Sequence, residues 1–163
     1  MIERKSVKTF TIVMDKLDKQ ILELIQVDAT LSTAEIADKV GLTTTPCWRR
    51  IQRLQMEGVI EKRVTLLNPE KLNLGLTVFV HIKTSQHDPK WLNQFALHTT
   101  AFEEVVEIYR LSGEYDYMLK VLVADMQGFD HFYKRFINGI QLSDVTSSFA
   151  MEKIKNSTAL PIS

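Results

Sequence analysis

The sequence predicts an α+β chain in two parts, an N-terminal three-helix helix-turn-helix domain followed by a ferredoxin-like βαββαβ domain. Three observations carry that expectation. Apolar residues recur at helical spacing from Leu17 to about Met56; from Val59 the pattern turns β-like, with strict alternation at Leu76, Val78, Val80 and Ile82; and the turn signal Asn68-Pro69 falls between the two regimes. With 163 residues, 45% of them hydrophobic, the chain is long enough for two small domains and can bury a real core.

Each element follows from local chemistry. Leu17, Ile21, Leu24 and Ile25 share one face of a first helix, which fades at Val27-Asp28-Ala29-Thr30. Ser32 with Glu35 three residues later is a capping box; Ile36, Ala37 and Val40 form the stripe of a second helix, and Gly41 suits its left-handed end. Thr43 is placed to cap a third helix, Pro46 falls in its first turn, and the pattern ends before Glu57-Gly58. Residues 14–58 are therefore assigned to the helix-turn-helix, after an extension or alternative start over 1–13. Val59 to Leu67 is β-like, within a linker over 59–73.

The ferredoxin-like part spans 74–155, with a tail over 156–163. Its first strand carries the alternation above, and Asp88-Pro89 opens a helix bearing Trp91, Leu92, Phe95 and Ala96. Two β-like runs follow, Val105 to Leu111 and Tyr117 to Val123, separated by Ser112-Gly113-Glu114-Tyr115-Asp116. Asp125 caps a helix with Phe129, Phe132, Tyr133, Phe136 and Ile137, closed by Asn138-Gly139 before a last strand around Val145 to Ile154.

Composition narrows the function classes. Basic and acidic residues balance at 20 each, so any contact with a polyanion must come from local clustering. The lone Cys47 cannot form an internal disulfide and reads as a small core residue; His81, His87, His98 and His131 are too scattered for a zinc site, so no metal is expected. No run has membrane-spanning length and no signal-peptide core stands out, which points to a soluble, cytoplasmic protein without a membrane partner. An enzyme is not expected, because no paired carboxylates, Ser/His/Asp set or phosphate-cradling glycine loop is evident. An RNA-recognition module shares the βαββαβ order, but the third strand reads Tyr117-Met118-Leu119-Lys120-Val121, without the basic, glycine and aromatic pattern it requires.

The third helix is the distinctive element. At roughly 100° per residue, Cys47, Ile51 and Leu54 share its inner face, while Thr45, Arg49, Gln52 and Arg53 lie opposite, with Trp48 at the margin and Arg50 nearer the core. Between Asp38 and Glu57 there is no acid, yet Lys39, Arg49, Arg50 and Arg53 supply positive charge. Double-stranded DNA fits this chemistry: guanidinium forks suit guanine or phosphate, the Gln52 amide suits adenine, and Thr43, Thr44 and Thr45 offer hydroxyls to phosphates near the helix start. Trp48 is balanced between packing and sugar-phosphate contact. Arg50 has a structural alternative, pairing with an acid such as Asp18 or Glu57.

The helix 1 text MDKLDKQILELIQVDATLS, the block GLTTTPCWRRIQRLQMEGVI and the segment LSGEYDYMLKV closely resemble the Lrp/AsnC (feast/famine) transcription regulators of bacteria and archaea, and the likeness runs from Met14 to about Lys155. That resemblance implies a DNA-binding helix-turn-helix and a C-terminal domain that assembles dimers into octamers or larger rings and binds amino-acid effectors. Sheet chemistry supports self-association independently, since a ferredoxin-like sheet leaves one face bare, here including Phe79 and His81, and a second copy is its simplest cover. A two-fold pair would then read palindromic operators.

An amino-acid effector needs backbone donors beside a fixed acid. Gly113 and Asp116, with Tyr115 between them, offer both, although spacing alone favours a plain hairpin turn in which Asp116 caps its own loop. The resemblance implies that this Gly-x-x-Asp loop is the effector site at a dimer–dimer contact. Relatives often carry Thr-x-Thr on the last strand, where this chain has Val145 and Ser147; Ser147 keeps a hydroxyl and Val145 does not. Met126 is a candidate pocket lining or core filler. An L-amino acid such as leucine or methionine is the expected effector. The alternative is a DNA-binding architectural or assembly protein without a small-molecule effector.

Overall fold

The computed structural model describes residues 12–163, so most of the extension expected over 1–13 lies outside the described residues. The elements are α1 (Lys16–Val27), α2 (Thr33–Val40), α3 (Thr44–Met56), a 3-10 turn at Glu70–Leu72, β1 (Leu76–Lys83), α4 (Pro89–Thr100), β2 (Val105–Arg110), β3 (Tyr117–Val123), α5 (Met126–Ile137) and β4 (Asp144–Phe149). Both expected architectures are present as separate units: Leu67–Lys153 form the C-terminal one, and the three helices together with Ile154–Ser163 form the N-terminal one.

In the N-terminal unit three short helices close over one small core. Ile21, Ile36, Ala37, Val40, Cys47 and Ile51 are buried together, and each is the inward residue of its helical stripe. The Ser32–Glu35 capping box forms as expected, and Gly41 ends α2 at φ 70, a conformation costly for residues with a Cβ. A second capping box, unforeseen, starts α1: Asp15 accepts from the Asp18 N–H at 2.9 Å and Asp18 accepts from the Asp15 N–H at 3.1 Å. Thr43 stands at the start of α3 but makes no side-chain cap bond, contrary to its expected role. Cys47 is fully buried, and that desolvation pushes its thiol up, away from the reactive thiolate.

The β-like stretch from Val59 to Leu67 forms no strand. Val64, Leu66 and Leu67 are exposed, and the segment makes no ladder, which fits its physics: β-branched composition becomes a strand only where another backbone pairs with it.

The C-terminal unit is an antiparallel sheet in the order β2-β3-β1-β4. Val78, Val80 and Ile82 of β1 and Tyr117, Leu119, Val121 and Val123 of β3 point to one face, where they bury Trp91 and Phe95 of α4 and Phe129, Phe132 and Phe136 of α5. Among the described residues no helix covers the opposite face. There Phe79, His81, Met118, Lys120 and Leu122 are half-buried, while Thr146 and Ser148 make the β4 edge more polar than alternation implied. Lys120 donates to Glu107 at 2.6 Å across this face, and the Tyr109 hydroxyl donates to the same carboxylate at 2.7 Å. β4 ends at Phe149 rather than near Ile154, its last rung being the Ala150 N–H to the Thr77 carbonyl.

Candidate nucleic-acid interface and effector loop

Helix α3 presents its expected inner face: Cys47, Ile51 and Leu54 are buried. Its outer row begins with Thr43, Thr44 and Thr45, all exposed, followed by Trp48 at 52% exposure and an exposed Arg49; Gln52 is half-buried. Gln55, one turn below Gln52 and not singled out from the sequence, is also exposed.

The arginines divide into two kinds. Arg50 donates through Nη1 to Asp15 at 2.7 Å and to Asp18 at 2.8 Å, and Arg53 donates through Nη2 to Asp18 at 2.5 Å. Asp18 is 1% exposed, so a single buried carboxylate on α1 holds two guanidiniums of α3. Burial works to raise the Asp18 pKa, but the hydrogen bonds from Arg53 and Arg50 outweigh it and hold the carboxyl below its ordinary range. Asp15 is likewise held low, chiefly by the Asp18 N–H and then by Arg50, and the same contacts push both arginines up.

This corrects the expected outward pose of Arg53. The structural alternative for Arg50 is realised through Asp18, and Arg53, expected on the outer face, turns back to the same acid because its long side chain reaches sideways past the direction of its first bond. Arg49 alone of the three has no ion-pair partner among the described residues. The signal was present in the text as Asp15-x-x-Asp18 facing Arg50-x-x-Arg53, two i,i+3 pairs of opposite charge.

The effector candidates separate as well. Gly113, at φ 155, holds a backbone conformation that L side chains rarely adopt, with open space around it. Asp116 Oδ2 accepts from the Thr84 N–H at 2.8 Å, its own N–H donates to the Ile82 carbonyl at 2.9 Å, and its carbonyl accepts from the Leu111 N–H at 2.8 Å. One carboxylate oxygen is thus spent on the loop and Oδ1 is left over. Tyr115 lies with its ring centroid 5.0 Å from that of His81, and Lys83 Nζ sits 4.9 Å over the Tyr115 ring while pairing with Glu114 at 3.1 Å.

Met126 and Ser147 do not join this loop within one chain. Asp116 precedes β3 and Met126 follows it, so the length of a seven-residue strand, roughly 20 Å, lies between them. Ser147 is paired with Val80, whose side chain faces the helices, and therefore shares that face. Among the described residues no group of three His, Cys, Asp or Glu is placed to hold a metal ion, and no helix is long and apolar enough to cross a membrane.

Comparison with known proteins bears on both regions. Residues 14–55 match the AsnC-type helix-turn-helix domain, and residues 77–160 match the Lrp/AsnC ligand binding domain. The DNA-binding transcriptional activator DecR of Escherichia coli is 52% identical over 150 residues, covering 91% of this chain and 99% of that protein. An AsnC family transcriptional regulator from Agrobacterium tumefaciens is similar in structure, with a TM-score of 0.88 and 53% identity over 91% of this chain and 97% of that one. A transcriptional regulator from Neisseria meningitidis, solved as its L-Met complex, gives a TM-score of 0.87 at 33% identity, again over 91% and 97% of the two chains.

Proposed function

The chain belongs to the Lrp/AsnC family of transcription regulators, and from that premise we propose that it reads operator DNA through the α3 row Thr43, Thr44, Thr45, Trp48, Arg49 and Gln52, under the control of an amino acid bound at the Gly113–Asp116 loop. The observation that carries the DNA reading is the split among the arginines. Arg50 and Arg53 are held by α1 and fix the pose of α3, which leaves Arg49 as the guanidinium free to enter a major groove. The threonine hydroxyls at the helix start are placed for phosphate oxygens, and Trp48 for the sugar-phosphate wall.

Gel-shift titration tests this. Arg49→Ala lowers operator affinity by about 1–3 kcal/mol with oligomeric state unchanged. Arg53→Ala acts differently: its loss of affinity tracks a loss of thermal stability in the same unit, whereas Arg49→Ala leaves stability within about 0.5 kcal/mol of wild type. Wild-type affinity in Arg49→Ala overturns the assignment.

Self-association supplies the second half of the proposal. The bare sheet face centred on Phe79, His81, Met118 and Leu122 is covered by a second copy, which sets two α3 helices on half-sites roughly 34 Å apart, and four such dimers join as an octamer. In such an assembly Met126 or Ser147 reaches the loop only from another protomer. Light scattering at micromolar concentration returns a multiple of the chain mass; a monomer there removes the palindromic-operator reading with it.

Methionine is the first effector to test, since the Neisseria meningitidis regulator was solved with L-Met. Leucine is the second. A thermal-shift screen of the twenty amino acids decides, because a ligand that binds only the folded protein raises its melting temperature; no shift with any of them favours an architectural DNA-binding protein without an effector.

A further inference from the structure

The last residues of the chain return to the DNA-binding unit. After β4 the backbone leaves the sheet, and residues 154–163 group with the three helices rather than with the strands. In the final turn of α1 the Gln26 carboxamide makes both hydrogen bonds that Leu160 offers: Nε2 donates to the Leu160 carbonyl at 3.1 Å, and Oε1 accepts from the Leu160 N–H at 2.8 Å. A primary amide is a peptide group in miniature, so this pair reproduces what a neighbouring strand would provide. It recognises main chain, not side chain, and the Leu160 side chain is accordingly 73% exposed.

We propose that the Gln26 end of α1 is a docking site for extended main chain and that its occupant is this protein's own C-terminal segment, acting as a strap. The helix-turn-helix is then attached twice to the effector-binding unit, through the linker over 59–73 and through the tail that continues from β4. A second attachment restricts the freedom with which each helix-turn-helix turns on its linker. That restriction matters only to DNA that must engage two recognition helices together, because one helix on one half-site gains nothing from the position of its partner. The consequence for operators rests on the DNA-binding reading above; the docking itself does not.

Hydrogen exchange and gel shifts on the full-length protein separate the two. In wild type the Leu160 amide is protected, and Gln26→Ala releases it. Leu160→Ala keeps the protection because both partners are backbone atoms, while Leu160→Pro deletes the donor and abolishes docking. Gln26→Ala and Leu160→Pro weaken binding to a two-half-site operator by about tenfold and leave single-half-site binding unchanged. An unprotected Leu160 amide in wild type, or protection that survives Gln26→Ala, overturns the docking. Equal losses on full and half operators, or none on either despite a released amide, overturn the strap. Absence of all DNA binding in wild type with Leu160 still protected would sink the proposed function and the strap's role on operators, and leave the docking site standing.

Discussion

Replacing Asp18 with alanine lowers the unfolding free energy of the DNA-binding unit by about 2–4 kcal/mol, the largest effect expected from a single charged residue in this chain. Three losses combine. The α1 capping box loses the member that accepts the Asp15 N–H. Arg53 loses its ion pair to a carboxylate that is 1% exposed, and Arg50 loses one of two. A charge left alone in a protein interior costs more than a lost surface pair, but here the orphaned side chains are 27% and 40% exposed and recover part of their hydration. The figure therefore falls below that of breaking a fully buried pair. Chemical denaturation followed by Trp48 fluorescence measures it, and operator affinity falls with it because α3 loses its anchor.

The same pair sets a pH signature with a definite sign. The native Asp18 carboxyl is held below its ordinary value, so its contribution is fully present above the unfolded pKa of about 3.9 and is lost as pH falls through the lower native value. Wild type keeps a constant advantage over Asp18→Ala between about pH 5 and pH 8, and that advantage shrinks in stronger acid. Stability of the alanine variant equal to wild type at neutral pH, or an advantage that does not decline in acid, contradicts the clamp.

How much of this the sequence disclosed depends on how local the cause is. The Ser32–Glu35 box, Gly41 and the stripes of Ile36, Val40, Cys47 and Ile51 are set by neighbours within one or two turns, and the structure has them where the pattern put them. The βαββαβ order was legible for the same reason, through Val78, Val80 and Ile82 against Phe129, Phe132 and Phe136. What failed was tertiary. A helical wheel gives the direction of a Cα–Cβ bond, not where a guanidinium several bonds away will settle, so Arg53 was placed outward although Asp18 draws it in. The Val59–Leu67 stretch has strand composition without a strand, since pairing is not a property of one segment. Met126 and Asp116 are ten positions apart in the chain but separated by the length of β3. Gln26 carried no signal at all, because a surface glutamine near a helix end is ordinary until the tail arrives beside it.

Asp116→Asn will leave the 111–116 loop in place yet weaken amino-acid binding by about 10- to 150-fold, the loss expected when a charged hydrogen bond to an ammonium becomes a neutral one. The substitution is chosen for what it preserves. The introduced carboxamide keeps a carbonyl oxygen that can still accept from the Thr84 N–H, as Asp116 Oδ2 does at 2.8 Å, and the main-chain bonds to Ile82 and Leu111 do not involve the side chain. Only the negative charge on the remaining oxygen disappears. Asp116→Ala removes the charge and also leaves the Thr84 N–H without its acceptor, so it loses both binding and loop order, and effector response goes with them. Basal operator binding survives in both variants, because α3 and its Asp18 anchor lie in the other unit. Calorimetry with methionine, or with whichever amino acid the thermal screen selects, separates the roles of this acid. If Asp116→Asn binds like wild type while Asp116→Ala fails, the residue serves the hairpin alone and the ammonium is held elsewhere; a loss in both, with the loop still ordered in the asparagine variant, places the carboxylate against the ligand.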